Sequence, residues 1–138
     1  MSKVVPENDS PYARIVDLQL QLKQYAEAER TLQSALAIND TSPFLHAKLG
    51  LVNFWERDFN DAARHFQRAV EVNQGGHLLP ASDFSKAYYH LALSEIQLGV
   101  VQSAKLNLVE VLRYQPQHAE AGRLLALLKK GVPVQLQF

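Results

Sequence analysis

The sequence contains no cysteine, so disulfides, thiolate metal sites and a cysteine nucleophile are all excluded. It also lacks long apolar runs, since no stretch approaches the roughly 18 consecutive apolar residues that a membrane-spanning helix needs. The N-terminus, MSKVVPENDSPY, has no apolar core of the kind found in signal peptides. A cytoplasmic protein is therefore the default expectation, and a segment excised from a larger exported protein has the same appearance.

An excess of charge of either sign is missing as well, because 14 Lys and Arg residues balance 14 Asp and Glu residues. A protein that binds nucleic acid by neutralising phosphates needs a surplus of basic residues. We therefore expect neither a nucleic-acid partner nor insertion into a membrane. What is present is 47% hydrophobic and 20% charged residues over 138 positions, a composition typical of one globular domain.

Local motifs for catalysis are absent too, since the sequence has no HExxH, GxSxG, SxxK or glycine-rich phosphate loop. We expect no enzyme and no cofactor. Five histidines lack the spacing of metal ligands, so we predict no metal site. These are His46, His65, His77, His90 and His118. We expect His46 and His65 to be solvated or partly packed.

Apolar residues recur at three- and four-residue spacing along most of the chain, which predicts amphipathic helices and no strands. Ser10-Pro11 and Ser42-Pro43 each place a capping serine before a proline at the first helical position. Gly131 and Pro133 are expected to end the last helix. The predicted helices cover residues 11–23, 26–39, 43–57, 60–73, 83–98, 101–114 and 117–130.

One amphipathic sequence pattern occurs twice, as QYAEAERTLQSALAIN at 24–39 and as DFNDAARHFQRAVEVN at 58–73, a spacing of 34 residues. A single helix pair cannot bury its apolar stripe alone, so repeated pairs stack and share one continuous core. This helix–turn–helix unit resembles the tetratricopeptide repeat (TPR) family over about residues 11–116. The middle repeat matches the family signature best, at Leu49, Gly50, Phe59, Ala62, Phe66 and Ala69.

The other two repeats follow the same pattern with departures. In the first, Val16 replaces the small residue, Gln19 the aromatic one and Asp40 the proline. In the third, Val101 and Val111 replace the aromatic residue and the alanine. Its matching positions are Tyr88, Leu91, Ala92, Gly99, Ala104, Leu108 and Pro116. Because glycine inside a helix is unfavourable by about 1 kcal/mol relative to alanine, we expect Gly50 to permit a close helix contact.

The resemblance implies an all-α, right-handed solenoid of three TPR repeats with a capping helix. We place the TPR domain at residues 11–131, between a flexible segment at 1–10 and a tail at 132–138. The repeats cover about residues 9–42, 43–74 and 85–118, and the capping helix covers 117–130.

The period breaks once, because Ala62 and Ala104 are 42 residues apart, eight more than the repeat requires. The excess falls within residues 73–84. One interpretation is a tolerated loop insertion, since loop lengthening is inexpensive. The alternative is that His77, Leu78 and Leu79 fold over the rim of a binding surface.

The resemblance also implies a concave groove lined by the first helix of each repeat. Its predicted partner-binding residues are Asp17, Phe44, Lys48, Leu51, Phe54, Trp55, Lys86, Tyr89, His90 and Leu93. Ala13, Arg123 and Leu127 extend this surface. Trp55 is expected either in the groove or between repeats. A simpler arrangement for Tyr88-Tyr89-His90 packs Tyr88 in the core and turns Tyr89 and His90 outward.

One subclass of the family grips acidic C-terminal peptides of chaperones through a two-carboxylate clamp. Its five polar positions fall on Ala13, Asp17, Lys48, Lys86 and His90. Of these, Lys86 matches and His90 is a weak substitute for arginine, whereas Asp17 repels a carboxylate. We therefore do not expect this clamp here.

The function that the resemblance implies is a non-enzymatic interaction module, an adaptor that binds a peptide or helix of another protein in the groove. The alternatives are a secretion-type chaperone or co-chaperone that holds an export substrate or a chaperone tail, and a structural segment of a longer TPR scaffold. The sequence leaves the partner, the pathway and the oligomeric state open.

Overall fold

The computed structural model describes residues 11–38, 42–73, 81–134 and Leu136. Within these ranges the chain forms seven α-helices and no strand. They are α1 (Pro11–Gln21), α2 (Tyr25–Ile38), α3 (Pro43–Trp55), α4 (Phe59–Asn73), α5 (Ala81–Gln97), α6 (Val101–Tyr114) and α7 (Ala119–Lys129). Each helix packs against the next, and α3 also contacts α5. The predicted all-α architecture of three helix pairs followed by a seventh helix is confirmed.

The helix boundaries follow local signals in the sequence. Ser42 caps α3, because its side-chain oxygen accepts a hydrogen bond of 3.1 Å from the backbone N–H of Leu45, and Pro43 is the first helical residue. At the other end of the chain, Gly131 has a φ of +72° just after α7, a conformation that glycine adopts without strain. Both predicted signals therefore act where they were expected.

The repeat pattern fixes how the two helices of each pair meet. Ala28, Ala62 and Ala104 occupy equivalent positions, and each is fully buried. Gly50 has the role expected of it, since a Cβ at this position would lie 3.0 Å from the Phe66 ring. Small residues thus let the helices of a pair approach closely, as close packing of protein interiors requires.

In each pair, a hydrogen bond between two side chains joins the helices at an equivalent position. Thr31 donates to Gln19 at 3.1 Å, and the Nδ1–H of His65 donates to the Asn53 side-chain oxygen at 2.8 Å. In the third pair the Asn107 amide donates to the Glu95 carboxylate. The three pairs stand at the 34- and 42-residue spacings of the buried alanines, so these polar contacts are part of the repeat.

The eight extra residues of the third repeat lie only partly in a connection. Helix α5 begins at Ala81, one turn before the position at which α3 begins in its own repeat. Phe84, in this added turn, is buried, and its ring lies 5.0 Å from those of both Tyr88 and Tyr114. Part of the insertion therefore extends α5 and adds an aromatic side chain to the core.

Several expectations from the sequence concern positions outside the described residues. These are the segment at 1–10, with its proposed cap Ser10, the substitution at Asp40, and His77, Leu78 and Leu79 of the insertion. The domain limits also remain predictions. In the described part of the chain, no helix is long and apolar enough to cross a membrane.

Candidate functional site

A pocket of about 150 Å³ opens between α3 and α5, and one side chain of α4 also lines it. Because the lining residues of α3 and α5 recur every three or four positions, one face of each helix is directed toward the pocket. The lining residues are Phe44, Ala47, Lys48, Leu51, Phe66, Lys86, Ala87 and His90. The structure thus brings together five predicted groove residues, namely Phe44, Lys48, Leu51, Lys86 and His90.

Lys48 is held in place from two sides. Its Nζ donates to the Asp17 carboxylate of α1 at 2.7 Å, and it also lies 5.5 Å from the centre of the Phe44 ring. The Lys48 side chain is 22% exposed and that of Asp17 is 54% exposed. Asp17 is therefore part of the site, because its carboxylate neutralises the charge of Lys48.

Lys86 differs from Lys48 in its surroundings. Its side chain is exposed at the edge of the same pocket, and within the described ranges it makes no ion pair. Its charge contributes to lowering the pKa of the neighbouring His90. Lys86 is thus a cation in the groove whose charge is not offset by a described carboxylate.

His90 is half-buried against aromatic rings rather than turned outward. It stacks on Phe66 with 5.7 Å between ring centres and meets the edge of Phe54 at 5.2 Å. Its Nδ1 lies 2.9 Å from the carbonyl oxygen of Lys86, which can only accept, so the proton is on Nδ1. Burial lowers the pKa of His90, and the Lys86 charge acts in the same direction against the backbone hydrogen bond. The ring is therefore neutral at physiological pH.

Two predicted groove residues lie in the hydrophobic core instead. Phe54 is 2% exposed and Leu93 is 6% exposed, and both belong to the cluster that joins the second and third repeats. Phe54 follows Leu51 and Leu93 follows His90 at a spacing of three residues, so both are on the pocket-facing side of their helices. They lie one turn further along, where the core cluster covers them. Neither residue therefore supplies the apolar surface that the sequence analysis expected.

Trp55 is exposed but lies away from the pocket. It contacts the edge of Phe54 at 5.4 Å and borders a separate surface formed with Lys23, Tyr25 and Arg57, near the turns of the first two helix pairs. Of the two expected locations, the structure therefore supports the one between repeats.

Tyr89 faces α7 rather than the pocket. Its ring is half-buried, and its centre lies 4.6 Å from that of His118. Burial raises the pKa of the Tyr89 hydroxyl, and the Glu120 charge adds to this. Arg123 makes two hydrogen bonds to Glu120, at 3.1 and 2.8 Å. Where the groove was expected to extend onto the last helix, Arg123 is therefore paired with Glu120 and Tyr89 packs on His118.

Three of the residues that line the pocket were not among the predicted groove residues, namely Ala47, Phe66 and Ala87. Phe66 matches a core position of the repeat and is 2% exposed, yet its side chain also contributes to the pocket lining. Ala47 lies three residues after the predicted groove residue Phe44, and Ala87 lies one residue after the predicted groove residue Lys86. Completing the helical spacing of Phe44, Lys48 and Leu51 would have included Ala47.

In the part of the chain that the structure describes, the titratable side chains that line the pocket are Lys48, Lys86 and His90. No group of three or more His, Cys, Asp or Glu side chains is placed to hold a metal ion there. Apolar walls with a few polar groups of this kind can bury an apolar group and attract a negative charge.

Comparison with known proteins agrees with this architecture. Residues 10–42 match the tetratricopeptide repeat family, whereas no curated protein sequence matches the chain. The match falls on the first repeat, whereas the sequence analysis expected the middle repeat to fit the family signature best. The three helix pairs have the TPR solenoid fold, as the following structural similarities show.

The first TPR domain of Spaghetti (RPAP3), bound to the HSP90 peptide SRMEEVD, has a TM-score of 0.78 at 19% identity, covering 93% of this chain and 95% of that one. The second TPR domain of human RPAP3, in complex with the HSP70 peptide SGPTIEEVD, has a TM-score of 0.72 at 17% identity, covering 86% and 92%. The Yersinia enterocolitica type III secretion translocator chaperone SycD has a TM-score of 0.68 at 12% identity, covering 94% and 84%. Identities this low establish the shared fold and no shared ligand.

Proposed function

We propose that this chain is a non-enzymatic interaction module that binds a segment of a partner protein in the pocket between α3 and α5. The observation that carries the proposal is the pocket itself, because it combines apolar walls from Phe44, Leu51 and Phe66 with the cation of Lys86. Buried apolar anchors with a charged rim are typical of protein interfaces.

The structural neighbours support a protein partner in particular. Two of them are TPR domains determined with a bound peptide, and one of these covers almost the whole chain. Both peptides end in EEVD, with several carboxylates close together. In this chain Asp17 already pairs with Lys48, so we propose binding of a protein segment without proposing these peptides as its ligands.

The proposal is tested by filling the pocket with a side chain. Ala47→Trp places an indole among the lining residues, whereas Ala37→Trp adds the same group at an exposed position of α2. Proteins captured from a lysate by the unaltered chain are identified, and the dissociation constant of each purified candidate is then measured for all three forms. We expect Ala47→Trp to weaken a true partner at least about tenfold and Ala37→Trp to have no effect.

Equal binding by all three forms, with helicity unchanged by circular dichroism, would place the partner site elsewhere on the chain. A loss of binding with both tryptophan variants would indicate a general disturbance of the surface, and it would remove the support for the pocket.

A further inference from the structure

The charge of the groove depends on one carboxylate. The described part of the groove contains two lysines, of which Lys48 is paired with Asp17 at 2.7 Å and Lys86 is not in an ion pair with a described residue. His90 adds no charge, since burial keeps its imidazole neutral. The groove therefore offers one uncompensated cation rather than two.

We propose that Asp17 sets the ligand specificity of this groove, which selects a peptide segment with one large apolar side chain beside a single carboxylate and rejects segments with several adjacent carboxylates. The inference rests on the proposed function, because it concerns the same pocket. It goes further by stating the chemistry of the ligand and by identifying the residue that discriminates.

The apolar part of this ligand follows from the size and lining of the pocket. An apolar cavity of roughly 150 Å³ admits a molecule the size of benzene. The pocket has about this volume, and its walls include Phe44, Leu51 and the Phe66 ring. One leucine, methionine or phenylalanine side chain therefore fits, while the remainder of the segment lies across the open groove.

The single carboxylate follows from the position of Asp17. A ligand carboxylate bound at Lys86 meets a cation at the edge of the pocket. A second carboxylate could gain only Lys48, where Asp17 is already in contact. Exposed ion pairs are weak, so the strength of the Asp17–Lys48 pair does not itself exclude the ligand. The negative charge of Asp17 excludes a second ligand carboxylate by repulsion. Two carboxylates that share one lysine are closer together than the screening length of about 8 Å at physiological ionic strength, so the repulsion between them is little screened.

The test selects peptides without assuming their sequence. A display library of random dodecapeptides is enriched on the unaltered chain and on Asp17→Asn. Asp61→Asn serves as the matched control, because it removes the same charge from an exposed pair with Arg64, whose atoms are 3.0 Å apart. We expect the unaltered chain and Asp61→Asn to enrich peptides with one large apolar residue near a single acidic residue. Asp17→Asn should enrich peptides with two or more adjacent acidic residues.

The dissociation constants of the enriched acidic peptides then measure the effect of Asp17. We expect them to bind Asp17→Asn at least about tenfold more tightly than the unaltered chain, a difference of about 1.4 kcal/mol. The gain should disappear in the double variant Asp17→Asn, Lys48→Gln, because the released cation is then absent. Circular dichroism of each variant verifies that the helices are intact.

The outcomes separate this inference from the proposed function. If Ala47→Trp abolishes binding of the enriched peptides, but the peptides chosen by the unaltered chain and by Asp17→Asn have the same number of carboxylates, only the specificity inference is overturned. If the enriched peptides bind Ala47→Trp normally, or if the unaltered chain enriches none, the proposed function fails and the inference fails with it.

Discussion

Gly50 on α3 and Phe66 on α4 are packed so closely that a Cβ on residue 50 would lie 3.0 Å from the ring carbons. The same Phe66 ring lines the pocket and stacks with the imidazole of His90, with 5.7 Å between the ring centres. The contact between these two signature positions therefore also holds one lining side chain of the candidate site in place.

Substituting Gly50 should therefore disturb both stability and the pocket. Gly50→Ala gains helix propensity of up to about 1 kcal/mol, but overpacking against the buried ring typically costs roughly 1–3 kcal/mol. Gly122→Ala, in α7, has nothing within 4 Å of the added Cβ and should stabilise the protein by about 0.5–1 kcal/mol. Urea unfolding of the two variants measures the difference. If Gly50→Ala is as stable as Gly122→Ala, the close contact does not constrain the repeat.

The fold was predictable because its determinants are local and periodic. The 34-residue spacing of Ala28 and Ala62 indicates a repeated helix pair, and Ser42-Pro43 marks the start of α3. Such signals act through backbone hydrogen bonds and adjacent packing, which the order of residues largely determines. Phe84 was expected to be helical, since the predicted helix begins at residue 83, but its burial was not predicted. A partner for its ring, Tyr114, lies 30 positions away in the chain.

The site was only partly predictable, because a helix position gives a direction but not the neighbour found there. Phe54 and Lys48 are both on α3, yet the first is in the core and the second is in the groove. Likewise, Tyr89 and His90 are adjacent, but one ring contacts His118 of the last helical region and the other contacts Phe66. The angles between neighbouring helices decide these cases, and they arise from packing across repeats.

A second prediction concerns the buried carboxyl of Glu95, which is 8% exposed. Burial raises its pKa above the ordinary value of 4.5, although hydrogen bonds from Ser103 and Asn107 oppose this. The folded protein therefore binds more protons at this residue than the unfolded chain just above pH 4.5, and its contribution to stability falls as the pH rises through the folded pKa. We expect Glu95→Gln to be more stable than the unaltered chain at pH 7, with the advantage shrinking toward pH 4.5.

Urea midpoints measured for both forms between pH 4.5 and pH 8 test this expectation. The comparison is made as a difference, because His65 and His90, whose pKa values burial lowers, titrate in both forms. A constant difference across this range would contradict the proposed cost of ionising Glu95.

A third prediction concerns the cap of α7. The Nδ1 of His118 accepts a hydrogen bond of 3.1 Å from the backbone N–H of Ala121. His118→Ala removes this cap together with the ring contact to Tyr89, whereas His118→Asn keeps a capping acceptor and removes only the ring. We expect His118→Ala to be less stable than His118→Asn by about 1 kcal/mol. Thermal unfolding compares them, and equal melting temperatures would show that the cap does not matter.

A fourth prediction concerns Lys86 and the rate of partner binding. A charge at the rim of an interface steers association, so Lys86→Glu should slow binding of a natural partner by roughly tenfold at low ionic strength. The effect should fade as salt screens it. Lys129→Glu makes the same charge change at an exposed site on α7 and serves as the control. Stopped-flow measurements in which both variants slow equally would assign the effect to net charge instead of the groove.

The central claim is that the partner segment binds in the pocket between α3 and α5, and nuclear magnetic resonance tests this claim most directly. A peptide segment of the identified partner is titrated into the isotope-labelled chain while backbone amide shifts are followed. The account predicts that the largest changes occur at residues 44–51 and 86–90, and that Ala47→Trp abolishes them. Changes confined to the exposed faces of α2 and α6, or to the surface around Trp55, would contradict it.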